Sequence, residues 1–164
     1  MHVTEKIKII SGKSVKPLTD KHKQVIDKLE LMLEKGIPDL TMSELAAKLK
    51  VSLRTLYEIA PSKDHLIRMT VNRILMKLGK EALDIIANIN SPVEKLKRYL
   101  QHANQAVGPK FKVYLQNLGN NNKSKEMIDY HEDYIISFTK ELLDAAVTQK
   151  EIRAIDTQAF ALLL

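Results

Sequence analysis

The stretch ELAAKLKVSLRTLYEIAPSK, residues 44–63, decides the fold. It contains two short apolar-periodic runs, a break at Lys50-Val51-Ser52 and a Pro-Ser-Lys stop. Helices of about seven or eight residues are not stable alone in water, so flanking segments must complete their core. Leu45, Leu49, Val51 and Leu56 are spaced to meet on one apolar seam, and the small Ala46 lets the second helix approach closely. These five residues are assigned to the core. Two helices joined by such a tight turn form the helix-turn-helix pattern, whose second helix enters a DNA major groove. An ordinary helical hairpin has the same spacing.

Around this stretch the chain reads as all-α. It has 164 residues, with only five Gly, five Pro and no Cys, and an apolar fraction of 45%. The length allows one compact domain or two small ones, and the apolar fraction is enough for a sizeable core. Without Cys there is no disulfide framework or thiolate chemistry. No apolar run approaches the ~18 residues of a membrane span, and MHVTEKIKII lacks the apolar core of a signal peptide. Charge is unevenly divided. Residues 1–80 hold sixteen Lys and Arg against nine Asp and Glu, leaving +7, whereas residues 81–164 hold ten against eleven, leaving −1. The basic excess in the first half suits a polyanion, and a solvated basic surface has the same composition.

Residues 1–18 are polar and basic and read as a flexible arm. Thr19 or Asp20 caps a first helix over about 20–35, with Val25, Leu29, Met32 and Leu33 on one face and Gly36 as its stop. Thr41-Met42-Ser43-Glu44 is a capping box that opens a second helix over about 42–49. Ser52 caps a third over about 53–59, and Lys63 begins a long fourth reaching about Ile89. Ser91-Pro92-Val93-Glu94 reads as another capping box with Pro at the first helical position. The fifth helix has a stripe of Val93, Leu96, Leu100, Ala103 and Val107 and is expected to end at Gly108-Pro109. A short sixth follows over about 110–118, a seventh over about 124–148, and Asp156 caps the start of an eighth. The expected domains are a helix-turn-helix unit over 19–80 and a helical regulatory and dimerisation unit over 81–164.

VSLRTLYEIAPSKDHL, Val51 to Leu66, resembles the N-terminal signature of the tetracycline-repressor (TetR) family, V-S-x-x-T-L-Y-x-x-F-P-S-K-E-x-L. Val51, Ser52, Thr55, Leu56, Tyr57, Pro61, Ser62, Lys63 and Leu66 match directly, and Asp64 stands for the usual acid. Upstream, EKGIPDLTMSELAAKL is similar to the family's E-x-G-x-x-x-x-T-x-x-x-I-A at Glu34, Gly36, Thr41 and Ala46. The specific match covers about residues 20–70. Three departures stand out. Lys50 replaces the usual turn Gly, with strain of about 1 kcal/mol if a left-handed backbone is kept. Ala60 replaces the aromatic before Pro61. Glu58 sits where a phosphate should lie, either as an acceptor for a cytosine amino group or as a solvated or Arg-paired side chain.

The resemblance implies a DNA-binding transcriptional regulator, a repressor released by a small-molecule inducer and working as a homodimer on a palindromic operator in double-stranded DNA. Arg54 can fork onto guanine O6 and N7 or hold a phosphate. Leu53 suits a thymine methyl. Ser52 and Thr55 suit phosphate or base, and Tyr57 resembles the family's phosphate-binding tyrosine. Lys63, at a helix start, favours phosphate. Thr41 does the same unless capping is its whole role, and Lys50 adds a cation beside the groove. The family's C-terminal helices enclose an inducer pocket. Here Tyr99, His102, Tyr114, Met127, Tyr130 and Tyr134 are the candidate lining, suited to a small apolar or aromatic molecule, although core or surface positions explain them too. The dimer face is expected at Ile136, Leu143, Val147 and Phe160–Leu164, residues that core packing would also use. Because AFALLL stops on apolar residues, the chain is expected to be shortened at its C-terminus. There is no Gly-rich phosphate loop, GxSxG or HExxH, so neither an enzyme nor a cofactor is implied. His102 and His131 lack ligand-like spacing, so no metal is expected. The location implied is the cytoplasm of a prokaryote, at the nucleoid. The alternative function is a DNA-binding protein without an inducer, responsive to the nucleoid or to a partner protein.

Overall fold

The computed structural model describes residues 17–37 and 39–164. The basic arm expected over residues 1–18 lies outside the described residues except for Pro17 and Leu18. Seven helices are described: α1 Asp20–Glu34, α2 Met42–Leu49, α3 Leu53–Ile59, α4 Lys63–Ile86, α5 Pro92–Leu118, α6 Asn122–Thr148 and α7 Thr157–Leu163. Each begins on a polar residue whose side chain accepts an amide two or three residues into the helix: Thr19, Thr41, Ser52, Ser62, Ser91, Asn121 and Asp156. Such a cap satisfies one of the four orphan amides and contributes about 1 kcal/mol. No strand and no helix long and apolar enough to cross a membrane occurs among the described residues.

The core is continuous from the first helix into the second half. Val25, Ile26, Leu29 and Leu33 of α1 meet Leu45, Ala46 and Leu49 of α2, Leu56 and Ile59 of α3, and Leu66, Ile67, Val71 and Ile74 of α4. Ala60, just past α3, is buried among them, where the family's usual aromatic would be larger. Tyr114 and Leu118 of α5 and Met127 of α6 close the same cluster. A second cluster holds Leu96, Leu142, Leu143 and Ala161, with Leu100, Ile136 and Phe138 packed on it. Polar ties reinforce the junction. Glu34 pairs with Lys110 at 3.0 Å, Ile37 N donates to Asn117 Oδ1, and Arg73 of α4 pairs with Asp27 and Glu30 of α1. The domain boundary expected after residue 80 falls inside α4.

Four expectations need correction. α5 does not stop at Gly108-Pro109; the fifth and sixth expected helices are one. An interior Pro costs about 3 kcal/mol, but continuing the helix buries Tyr114 and Leu118, each contributing ~1.5–3 kcal/mol, so packing outweighs the break. Gly108 suits this turn because a Cβ there would lie 2.8 Å from Asn104 Oδ1. Val93 is exposed rather than on the buried stripe, and the Val107 side chain is outside the described residues. Glu94 does not close its capping box. It pairs with Arg98, while the distant Glu151 accepts from Ser91 Oγ at 2.7 Å and Val93 N at 3.1 Å. Of the expected dimer face, Leu143 is buried and Ile136 packs against it inside the protomer; Phe160, Leu162, Leu163 and Leu164 are exposed.

Candidate functional site

The turn between α2 and α3 sets the position of the recognition helix. Thr41 and Glu44 form a complete capping box at α2, with the Thr41 hydroxyl donating to Glu44 Oε2 and accepting from Glu44 N. At the other end Lys50 adopts φ 57°, ψ 47°. Val51 N donates to Ala46 O and Lys50 N to Ala47 O, the paired bonds of a left-handed helix terminus. Lys50 therefore keeps the turn at the expense of Cβ strain. Lys50→Gly should raise stability by about 1 kcal/mol in a thermal melt, and it should weaken DNA binding by removing one cation.

α3 is two-faced. Leu56 and Ile59 are buried, whereas Leu53 is 39% and Tyr57 53% exposed and the Arg54 side chain 88%. Ser52 Oγ accepts from Thr55 N, and the two hydroxyls share a hydrogen bond of 2.8 Å. Thr55 is a correction: it is 5% exposed and turned to the core, because the seven-residue helix gives its third position to the Leu56–Ile59 side. Lys63 opens α4 beside the Ser62 cap, and its Nζ reaches Asp39 Oδ1 at 2.6 Å. That bond holds the Asp39 carboxyl below the usual range. Arg54 Nε donates to Glu58 Oε1 at 3.0 Å, so Glu58 is Arg-paired, one of its two expected states. His22 Nε2 lies 3.5 Å from the other carboxylate oxygen. The Arg54 bond, foremost, lowers the Glu58 pKa. The surface of α2–α4 thus displays Lys50, Ser52, Leu53, Arg54, Tyr57 and Lys63 together.

A cavity of about 340 Å³ lies between α4, α5 and α6. Leu75, Leu78, Gly79 and Ala82 line it from α4, Tyr99, Ala103, Asn104 and Phe111 from α5, and Ile128, His131, Glu132, Tyr134 and Ile135 from α6. Only Tyr99 and Tyr134 of the expected lining are there. Tyr114 and Met127 are core, Tyr130 packs edge-on to His131 without lining the cavity, and His102 stands 4.0 Å from Glu81. On α6 the wall is the face of 128, 131, 132 and 135. The expected set of 127, 130 and 134 shares only Tyr134 with the cavity, because one residue turns a helix by about 100°. Tyr99 packs edge-on to Phe138 at 4.9 Å, and burial pushes its phenol up to about 12. His131 Nε2 bonds Asn72 Oδ1 of α4 at 2.8 Å, and burial pushes the imidazole pKa down. A Cβ on Gly79 would meet nothing within 4 Å, since it would project into open space. No group of three His, Asp or Glu able to hold a metal occurs among the described residues.

Residues 29–69 match the model of the bacterial regulatory proteins, tetR family. The HTH-type transcriptional regulator YvaF of Bacillus subtilis (strain 168) is 33% identical over 141 residues, covering 79% of this chain and 69% of that protein. AibR, solved in complex with isovaleryl coenzyme A and operator DNA, has the same fold, with a TM-score of 0.65 at 19% identity over 87% of this chain and 80% of that one. A transcriptional regulator from Cytophaga hutchinsonii ATCC 33406 gives 0.70 at 17% identity over 87% and 75%. With the capped two-helix turn, the exposed recognition face and these likenesses together, the chain belongs to the tetR family of bacterial regulatory proteins and is an all-α, helix-turn-helix transcriptional regulator.

Proposed function

We propose that the protein binds a palindromic DNA operator as a two-fold homodimer and represses transcription until a small apolar or aromatic molecule fills the cavity between α4, α5 and α6. The observation that carries this reading is the two-faced α3. Its inner side is fixed by Leu56 and Ile59, and its outer side presents Leu53, Arg54 and Tyr57 with Lys50 and Lys63 at either end. One helix this short reads only a few base pairs, too few against a genome's competing sites; two copies roughly double the discrimination. Thr41 has both hydroxyl roles taken by its capping box, so its part is to fix α2 on the backbone.

α4 joins the two sites. Lys63 stands at its DNA end, Arg73 ties it to α1, and Leu75 to Ala82 wall the cavity. A ligand pressing on that wall, or competing for the His131–Asn72 bond, displaces α4 and alters the spacing of paired recognition helices. Among the described residues Glu132 lines the cavity and no Lys or Arg does, which disfavours an anionic ligand. AibR is a fold relative seen with both a ligand and operator DNA, and this supports the inducible reading over one without an inducer. The reading assigns the protein no catalysis and no cofactor, and places it in the cytoplasm at the nucleoid.

Selection of bound sequences from a random duplex pool, combined with sedimentation of the protein at micromolar concentration, tests the proposal. A dyad-symmetric site and a dimer are expected, with half-sites about 34–36 Å apart or somewhat more. A monomer selecting sites without dyad symmetry would remove the dimeric repressor.

A further inference from the structure

We propose that Glu58 is the residue that sets base specificity, by holding Arg54 end-on toward a guanine. This rests on the reading that α3 enters the major groove. An acid on a recognition helix is costly, because it faces the phosphates of both strands. Here its two oxygens are used. Oε1 accepts from Arg54 Nε at 3.0 Å, and Oε2 lies 3.5 Å from His22 Nε2. Thr19 N donates to His22 Nδ1 at 3.4 Å, so in the neutral ring the hydrogen stands on Nε2, the nitrogen nearer Glu58. A chain of polar contacts therefore runs from the N-terminal cap of α1 through His22 and Glu58 to Arg54.

The chemistry of the guanidinium gives this arrangement its consequence. Arg has five N–H donors in a fixed fork. With Nε held by Glu58, the donors left for DNA are those on Nη1 and Nη2, and the side chain is 88% exposed. Those two nitrogens match guanine O6 and N7. An unrestrained arginine at the same place would swing to the nearest phosphate, where it adds affinity without sequence information. Glu58 thus acts through Arg54 and exchanges non-specific attraction for discrimination.

The test uses the full chain and DNA selected by it, with single-base variants of each half-site position. Wild type should prefer guanine at one position per half-site by roughly ten- to hundredfold. Glu58→Gln keeps the shape but not the charge. It should lose most of that preference while binding random-sequence DNA as tightly as wild type or tighter. Glu58→Asp keeps the charge but falls short of Arg54 Nε, and it should lose the same preference. Arg54→Lys should lose it too, and adding Glu58→Gln to Arg54→Lys should change little more, since residues acting as a unit are non-additive. Melting curves of each variant check folding; Glu58 lies on an exposed helix face. If Glu58→Gln and Glu58→Asp keep the guanine preference, or alter a different base pair, the proposal fails and Glu58 reads DNA directly or not at all. If wild type itself shows no base preference, the DNA reading fails first, a separate result.

Discussion

Raising salt from about 50 to 200 mM should weaken DNA binding by this protein about 10²-fold. Duplex DNA condenses counterions, and each phosphate neutralised by a cation releases them, so log K falls with log salt by about 0.9 per phosphate. Lys50, Arg54 and Lys63 are the cations at the recognition face, so a two-fold dimer presents twice that set. With Arg54 turned to a base, Lys50 and Lys63 give four phosphate contacts per dimer and a slope of about −3.6. Arg54 and Lys63 already have carboxylate partners, Glu58 and Asp39. The Asp39 side chain is 98% exposed, so its pair with Lys63 is worth little and Lys63 can leave it for a phosphate at small cost, whereas Glu58 is half as exposed and faces both Arg54 and His22. Lys50 has no such partner among the described residues, and Lys50→Ala, which removes one cation from each protomer, should make the slope shallower by about two. A titration by fluorescence anisotropy across four salt concentrations measures this, and a flat response would eliminate the DNA-binding reading.

The second large effect concerns the other face of the same helix. Leu56→Ala should destabilise the protein by about 2–5 kcal/mol, the range for emptying a fully buried leucine site. Leu56 is 0% exposed and packs in the cluster shared by α1, α2 and α4. For a domain of this size each kcal/mol shifts Tm by roughly 2–4 °C, so a fall on the order of 10 °C is expected, with loss of DNA binding as α3 detaches. Leu53→Ala, three residues earlier on the exposed side, should change stability by no more than about 0.5 kcal/mol yet weaken binding to selected DNA. Equal melting temperatures for the two variants would mean that the division of α3 into a core face and a groove face is wrong.

The sequence by itself determined six of the seven described helix starts and the turn between α2 and α3; α6 begins at Asn122 behind the Asn121 cap rather than at about 124, and the start expected near 110 lies inside α5. Each start is local: a Ser, Thr, Asp or Asn side chain reaches an amide within three residues, and no tertiary contact is needed to read it. The left-handed Lys50 was equally local, because the residue that closes a helix before a tight turn faces one narrow set of angles. The family signature over Val51 to Leu66 rests on these same short-range demands. Tertiary structure alone decided whether α5 would survive Gly108-Pro109, because the answer depended on what Tyr114 and Leu118 gain by packing near α1. It also decided which face of α6 lines the cavity. The Tyr99, His131 and Glu132 walls come from helices far apart in the chain, and a rotation of about 100° between them is invisible to amphipathic spacing when both faces carry apolar residues. The link from His22 across to Glu58 and Arg54 joins residues more than thirty positions apart, so composition and periodicity carried no sign of it; it exists because α1 and α3 are pressed together by the shared Leu29, Leu45 and Leu56 core.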